Sequence, residues 1–148
     1  MQTRFRRRRA FTLLELIVVL GIGGILMAIA IPRAARYLDA IRVRSATQEI
    51  MSVFVTARHH AIARARHASV LVDAEAGRIE VRSEDKRVLV RDLAHGYGVT
   101  LTATRDSMSY SPIGLGWGAA NLKITIQRGA ASDTVVLSRV GRIRRGKR

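Results

Sequence analysis

Residues 11–31 read FTLLELIVVLGIGGILMAIAI, an apolar run of 21 residues whose only charged side chain is Glu15. An α-helix rises ~1.5 Å per residue, so this run would be ~31 Å long and would match the ~30 Å hydrocarbon layer of a bilayer. The segment before it, residues 1–10, carries five arginines and no acid. We therefore predict a transmembrane helix over residues 11–32, preceded by a short basic segment.

Three kinds of N-terminal segment combine basic residues with an apolar run: a secretory signal peptide, an ordinary anchor, and a leader that is cut off ahead of the helix. A secretory signal has an apolar region of ~7–15 residues followed by a small-residue cleavage site. Here the run is longer, and Ile31-Pro32-Arg33 follows it. An ordinary anchor explains the length but not the carboxylate of Glu15, because ionisable groups in membranes usually have a partner or a function. Two interpretations of Glu15 stay open, a tolerated interfacial charge and an assembly determinant.

The charges on either side of the apolar run predict its orientation. Arginines flank it on both sides, but the cluster in residues 1–10 is denser, and Asp39 partly offsets the arginines on the far side. Because basic residues favour the cytoplasmic side, we place residues 1–10 in the cytoplasm. The chain is then predicted to be a single-pass protein of the inner (cytoplasmic) membrane, in contact with its lipid, with residues 33–148 outside the cytoplasm.

Residues 33–148 combine two hydrophobic periods. Apolar residues from Leu38 to Ala61 recur at helical spacing, which predicts that the helix continues to about Ala68 with an apolar stripe against a sheet. Beyond His67 the period changes to two, which predicts short antiparallel strands separated by polar turns. The predicted strands are residues 69–73, 78–82, 88–91, 99–102, 122–126 and 134–137. The fold class is therefore α+β, a long N-terminal helix packed on antiparallel β-sheets.

Composition excludes several kinds of chemistry. The chain has 148 residues and no cysteine, so disulfides and thiol chemistry are excluded, and its net charge is +15, which favours polyanionic partners. His59, His60 and His67 lack the i, i+4 spacing of a helical metal site and are interpreted as exposed helix residues. No nucleophile elbow or phosphate-binding glycine loop is present. We predict no enzyme activity, no cofactor and no metal.

The stretch RRRRA/FTLLELIVVL resembles the class III signal of type IV pilins and type II secretion pseudopilins. In that family a basic leader is cut off before a Phe, and a Glu stands at the fifth mature position; Phe11 and Glu15 occupy these places. Ala10 stands where the family usually has Gly. The family also tends to have a helix-bending proline at mature position 22, which is Pro32 here. The resemblance implies residues 1–10 as a prepilin leader, a prepilin peptidase as partner, and N-methylation of Phe11.

The same resemblance gives Glu15 a role in assembly. A carboxylate on one subunit can pair with the new α-amino group on Phe11 of a neighbour, which lowers the cost of burying both charges. Other pilin or pseudopilin subunits are therefore expected partners.

Towards the C-terminus the sequence resembles the GspH/FimT-like minor pilins, in Tyr110-Ser-Pro-Ile-Gly114 and in Val140-Gly-Arg142. Gly141-Arg-Ile-Arg144 looks like the G-R-x-R motif of FimT-like pilins that bind DNA during natural transformation. On a strand, Arg142 and Arg144 would face the same side, about 6.6 Å apart, and Arg145 would add a third cation. The alternative is a solvated tail or a patch for acidic neighbours in the pilus.

The resemblance thus implies a minor pilin or pseudopilin, a structural subunit of a type II secretion pseudopilus or a type IV pilus. The alternative function is a DNA-binding minor pilin for DNA uptake. A third hypothesis is a simple membrane-anchored domain that keeps residues 1–10.

Overall fold

The computed structural model describes residues 11–84, 86–117 and 121–146. The chain divides into two units, Met1–Ala35 and Arg36–Arg148. Helix α1 (Leu13–Arg64) begins in the first unit and ends in the second. The described residues of the first unit are helical from Leu13 onward, and nearly all of them are exposed. Ala10 lies outside the described residues.

In the second unit, α1 packs on the sheets through one stripe of side chains spaced three or four residues apart. Leu38 and Ile41, which were expected in the stripe, are instead 54% and 42% exposed. Val43 and Thr47 are buried in addition. Thr47 can be buried because its Oγ1 donates to the Val43 carbonyl at 2.9 Å, which satisfies the hydroxyl. The buried residues of α1 are Val43, Ala46, Thr47, Ile50, Val53, Phe54, Ala57 and Ala61.

Helix α1 ends four residues earlier than predicted. Ala65 adopts a φ of 50°, a left-handed conformation that an α-helix does not continue through. Ala68 therefore belongs to the first strand. The strands and the second helix are β1 (Ala68–Asp73), β2 (Arg78–Ser83), β3 (Lys86–Asp92), α2 (Leu93–Tyr97), β4 (Thr100–Ala103), β5 (Ser107–Tyr110), β6 (Gly116–Trp117), β7 (Leu122–Arg128), β8 (Ala131–Leu137) and β9 (Ile143–Arg145).

All strand pairs are antiparallel, and they form two sheets with the orders β3-β2-β1-β5-β6 and β4-β7-β8-β9. Along β1, β7 and β8 buried residues alternate with more exposed ones, as expected for a sheet with one face on a core. The core combines Phe54 and Ile50 of α1 with the inward residues of both sheets. The predicted fold class, a long helix on antiparallel sheets, is confirmed.

Candidate functional site

The first candidate site is the start of α1. Thr12 caps the helix: its Oγ1 accepts the Glu15 backbone N–H at 3.2 Å, and its carbonyl accepts the Leu16 N–H at the same distance. Glu15 is the third helical residue, so Thr12 and Glu15 have the spacing of a capping box. This cap was not predicted, although its signal, a threonine three residues before a glutamate, is present in the sequence. The carboxylate of Glu15 thus has a local stabilising role at the helix N-terminus in addition to any role in assembly.

The apolar side chains between Phe11 and Ile31 are not covered by the other residues of the first unit that the structure describes. Phe11, Leu13 and Leu14 are 75%, 76% and 72% exposed, and the large apolar side chains from Leu16 to Ile31 are all more than half exposed. The most apolar 18-residue window of α1 has a mean hydropathy of 2.6, so by length and composition the helix could cross a membrane. A soluble monomer rarely leaves a continuous apolar surface of this size in water.

Pro32 lies inside α1, and the helix assignment continues through it. A proline at this position removes a backbone donor and commonly bends a helix. The bend that was expected at Pro32 stays a prediction.

The second candidate site is the basic C-terminal hairpin. Arg144 and Arg145 lie on β9 and Arg142 immediately precedes it, and all three are exposed. Alternation along the chain places Arg142 and Arg144 on one face. Arg144 is registered with Val136, and Val136 with Lys123. Lys123 and Arg144 therefore belong to one cross-strand row on the outer face of the second sheet.

Arg145 differs from its two neighbours because it has an acidic partner. Its Nε lies 2.6 Å from Oδ2 of Asp133, whose side chain is only 8% exposed. The contact has the distance of an ion pair but lacks the alignment of a hydrogen bond, since Asp133 Oδ2 has no hydrogen-bond partner among the described residues. Arg145 thus compensates a nearly buried charge and is less available to an external anion than Arg142 and Arg144.

Beside the hairpin lies a groove of about 640 Å³ between α1 and the β8–β9 connection. Its lining combines four aliphatic side chains with three basic ones and a glycine: Val55, Arg58, His59, Ile62, Val140, Gly141, Arg142 and Ile143. Gly141 has a φ of 75°, and a Cβ there would lie 3.0 Å from the Gly114 carbonyl oxygen and 3.3 Å from Tyr110 Cε1. Only glycine fits this position, so the backbone of the Gly-Arg-Ile-Arg segment is held tightly against the loop that contains Gly114.

Two polar atoms near this groove are buried without a hydrogen-bond partner among the described residues, Nε of Arg58 and the hydroxyl of Tyr110. Burial raises the pKa of Tyr110 from 10.0 to about 12, and the nearby Arg58 charge offsets part of that effect. A buried donor without an acceptor is costly. An acceptor beside either atom, such as a buried water, would therefore stabilise the fold.

The histidines do not converge on a metal site. His59 and His67 are exposed, as predicted, but His60 is half-buried, with its Nδ1 unpartnered among the residues described. His67 lies beyond the end of α1 and packs edge-to-face on Trp117 at 5.1 Å between ring centroids. In the described part of the chain no group of three or more potential ligands could hold a metal ion.

The N-terminal segment of the chain matches a known protein family model. Residues 5–31 match the family model described as the prokaryotic N-terminal methylation motif. Among curated protein sequences, none matches the chain. The N-terminal segment is thus that of prepilin-like proteins, on a fold with a long helix and antiparallel sheets.

Solved structures of known proteins share that fold, and two proteins among them are described here. One is the type IV minor pilin FimU of Pseudomonas aeruginosa PAO1, with a TM-score of 0.60 and 14% identity over 71% of this chain and 88% of that one. The other is the minor pseudopilin EpsH of the type 2 secretion system of Vibrio cholerae, with a TM-score of 0.55 and 14% identity over 70% of this chain and 95% of that one. The fold is therefore the pilin fold, in the form found in minor pilins and pseudopilins.

Proposed function

We propose that this chain is a minor pilin or pseudopilin, a structural subunit of a type II secretion pseudopilus or a type IV pilus. This proposal is supported by two features that occur together in residues 11–31, the methylation motif and an exposed apolar surface. The methylation motif ends there, and the apolar side chains of the same segment are uncovered. Lipid covers this surface while the protein is anchored, and neighbouring helices cover it after assembly.

Processing by a prepilin peptidase would cut the chain between Ala10 and Phe11. The new α-amino group of Phe11 then becomes a cation at the start of α1, where the free N–H groups of the helix already favour negative charge. Pairing this cation with Glu15 of a neighbouring subunit compensates both charges within an apolar filament core. Glu15 is thereby an assembly residue, and Ala10 and Phe11 are the processing residues.

The test replaces Glu15 by Ala and by Gln in the full-length chain, expressed in cells that build the filament. We expect both variants to stay membrane-bound and folded but to be depleted from sheared filaments, because an isosteric amide cannot neutralise the α-amino group. Ser52→Ala, an exposed change elsewhere on α1, is the matched control and should enter filaments normally. Normal entry of both Glu15 variants would contradict the assembly role.

A second candidate function is DNA binding through the C-terminal hairpin. It is favoured by the exposure of Arg142 and Arg144 and by the row that Arg144 shares with Lys123 across the sheet. Guanidinium groups on an extended backbone bind phosphates whatever the base sequence. Removing one arginine that binds a phosphate should reduce the salt dependence of binding by about one unit in the log–log slope.

A gel-shift titration of the fragment Arg36–Arg148, which contains the entire described core, tests this candidate. The Arg142→Ala/Arg144→Ala variant should lose most of the affinity, whereas Arg105→Ala, on the turn before β5, should not. Absence of binding by the unmodified fragment at low salt would exclude the DNA-binding function and leave the structural role intact.

A further inference from the structure

The second sheet has an inner and an outer face, because side chains alternate along its strands. Leu122, Ile124 and Ile126 of β7 point into the core and are buried. The residues between them point outward, as do their cross-strand neighbours. Among the outward residues that the structure describes on these strands there is no acid, and the charged ones are Lys123 and Arg144. This face therefore attracts anions.

The two cations lie in one row that crosses three strands, which we call the cationic row. Lys123 is registered with Val136, and Val136 with Arg144. Adjacent strands are about 4.8 Å apart, so about 9.6 Å separates the backbone of Lys123 from that of Arg144. Both side chains are exposed, and neither forms an ion pair with a described residue. With Arg142, about 6.6 Å from Arg144 along the chain, they form a group of three cations.

A row of hydroxyl groups runs parallel to the cationic row. Thr102 is registered with Thr125, and Thr125 with Thr134. Because Thr125 follows Lys123 by two residues, the two rows are about 6.6 Å apart. The three threonine side chains are exposed or half-buried. Threonine hydroxyls commonly contact phosphate oxygens, so this row adds neutral donors beside the cations.

The outer face of the second sheet has no aromatic side chain among its described residues. The chain has one tryptophan, Trp117, and it belongs to β6 in the first sheet. Proteins that bind single-stranded nucleic acid combine cations with aromatic side chains on which the bases stack. Without such aromatic side chains, the phosphates of a nucleic acid supply the contacts. A duplex has the higher density of phosphate charge, so this face favours a duplex over a single strand.

We propose that duplex DNA lies across the strands of the second sheet, with its phosphates on both rows. Lys123 and Arg144 bind phosphate oxygens in the cationic row, and Thr125 donates its hydroxyl in the other row. Lys123 is thereby a DNA contact outside the Gly-Arg-Ile-Arg segment. Since all these contacts go to phosphates, binding does not depend on base sequence. This inference deepens the second candidate function and rests on it.

The salt dependence of binding tests the role of Lys123. Full-length protein in a neutral detergent is titrated with a duplex of random sequence at several salt concentrations, and the binding constant is plotted against salt on logarithmic axes. Each neutralised phosphate of a duplex contributes about 0.9 to the slope. Lys123→Ala should therefore make the slope about 0.9 less steep, and so should Arg144→Ala. Residues 1–10 are the same in all variants, so differences between slopes report on the substituted residue.

Lys86→Ala is the matched control, since Lys86 is an exposed lysine of β3 in the first sheet. Its slope should equal that of the unmodified protein. An equal change of slope in Lys86→Ala and Lys123→Ala would show a general effect of net charge and would overturn the contact assigned to Lys123.

The hydroxyl row has a test that does not alter charge. Thr125→Val keeps the shape of the side chain but removes the hydroxyl, so binding at fixed salt should weaken about threefold with an unchanged slope. Thr56→Val, an exposed change on α1, is the control and should bind normally. Equal affinities of the Thr125→Val and Thr56→Val variants would remove the hydroxyl row from the binding surface.

A single strand of the same length and the emission of Trp117 test the placement of the DNA. The duplex should bind more tightly than the single strand and should leave the tryptophan emission unchanged, because Trp117 belongs to the other sheet. Tighter binding of the single strand, together with quenching of Trp117, would assign the nucleic acid to a stacking surface on the first sheet and overturn the inference.

The outcomes separate this inference from the function on which it rests. Loss of binding in Arg142→Ala/Arg144→Ala with an unchanged slope in Lys123→Ala would overturn the inference and leave DNA binding by the hairpin standing. Absence of duplex binding by the unmodified protein at low salt would overturn both.

Discussion

Arg128 Nε donates a hydrogen bond of 2.7 Å to Asp39 Oδ1, across a sequence separation of 89 residues. Nη1 of the same guanidinium donates to the carbonyls of Tyr97 and Gly98, each at 2.8 Å. One side chain at the end of β7 thus joins α1 to the end of α2. Because both charged side chains are only 27% and 28% exposed, this contact is more protected from solvent than a surface ion pair.

Replacing Arg128 by Ala should lower the free energy of unfolding by about 1–3 kcal/mol, since it leaves a partly buried carboxylate and two carbonyls without donors. Arg128→Lys should recover only a fraction of that loss, because an ammonium group cannot reproduce the fork of a guanidinium. Chemical denaturation of the full-length protein in detergent measures both changes. Arg105→Ala is the control, and an equal effect of Arg105→Ala would show that the contacts of Arg128 are not responsible.

Gly77 occupies a backbone position that is closed to other residues. Its φ is 63°, a Cβ there would collide with the Cβ of Ala94, and its carbonyl accepts the N–H groups of Leu93 and Ala94. Gly77→Ala should therefore destabilise the fold by about 1–3 kcal/mol, through the left-handed conformation and the clash. Gly96→Ala, in α2 with open space around it, should be neutral or slightly stabilising. Thermal unfolding of the two variants measures the difference between their stabilities. Equal stability of the two variants would contradict the described conformation of the Gly77 turn.

The lowered pKa values of two surface carboxylates lead us to expect that stability decreases at acidic pH. The Arg82 hydrogen bond holds the pKa of Glu80 below its ordinary 4.5, and the His95 backbone N–H holds the pKa of Asp92 below 3.8. A lowered pKa means that the folded state favours the charged form. The corresponding stability is complete above the ordinary values and is lost as the pH falls through them towards the folded values.

Between about pH 5 and about pH 3, the melting temperature of the Glu80→Gln/Asp92→Asn variant should therefore decrease less than that of the unmodified protein. Neither substituted side chain titrates, while the asparagine amide preserves most of the helix cap. Circular dichroism melts over that range provide the measurement. Parallel melting curves for the two proteins would refute the assignment.

The raised pKa of Tyr110 leads us to expect that stability decreases at alkaline pH. Burial raises its pKa to about 12, so the neutral phenol is favoured by folding. That stability is present below the ordinary pKa of 10.0 and is lost as the pH rises through about 12. Tyr110→Phe should remove a late phase from the ultraviolet titration of the three tyrosines. Tyr97→Phe should retain that phase.

The Tyr110 hydroxyl has no partner among the described residues, so Tyr110→Phe should change the free energy of unfolding by less than about 1 kcal/mol. A loss of several kcal/mol would mean that the hydroxyl holds a bound water or another acceptor that is important to the fold.

Much of this fold was predictable because its periodicities are strong. Among the residues that the structure describes, six of nine strands coincide closely with predicted ones, and the stripe of α1 was anticipated from Ala46 to Ala61. Leu38 and Ile41 were misassigned because helical spacing identifies an apolar face but not where the sheets begin to cover it. The short β5, β6 and β9 depend on their partner strands, since two to four residues carry too little periodicity to be recognised alone.

Some residues of the candidate sites were likewise predictable from the sequence, and others were not. Phe11, Glu15 and the Arg142-Ile-Arg144 pattern were visible as motifs. The ion pair of Arg145 with Asp133 was not, because the two residues are brought together by the pairing of β8 with β9. The groove beside the C-terminal hairpin likewise combines residues of α1 with residues of the β8–β9 connection, which are distant in sequence.

If the chain is a processed filament subunit, the intact mass of the membrane-extracted protein must depend on a prepilin peptidase. The protein is expressed in full length with and without an active prepilin peptidase. We expect that the peptidase removes residues 1–10, leaving Phe11 as the N-terminus with one added methyl group. Retention of residues 1–10 in cells where the same peptidase processes another prepilin would contradict it, and would instead support a membrane-anchored domain that keeps its basic N-terminus.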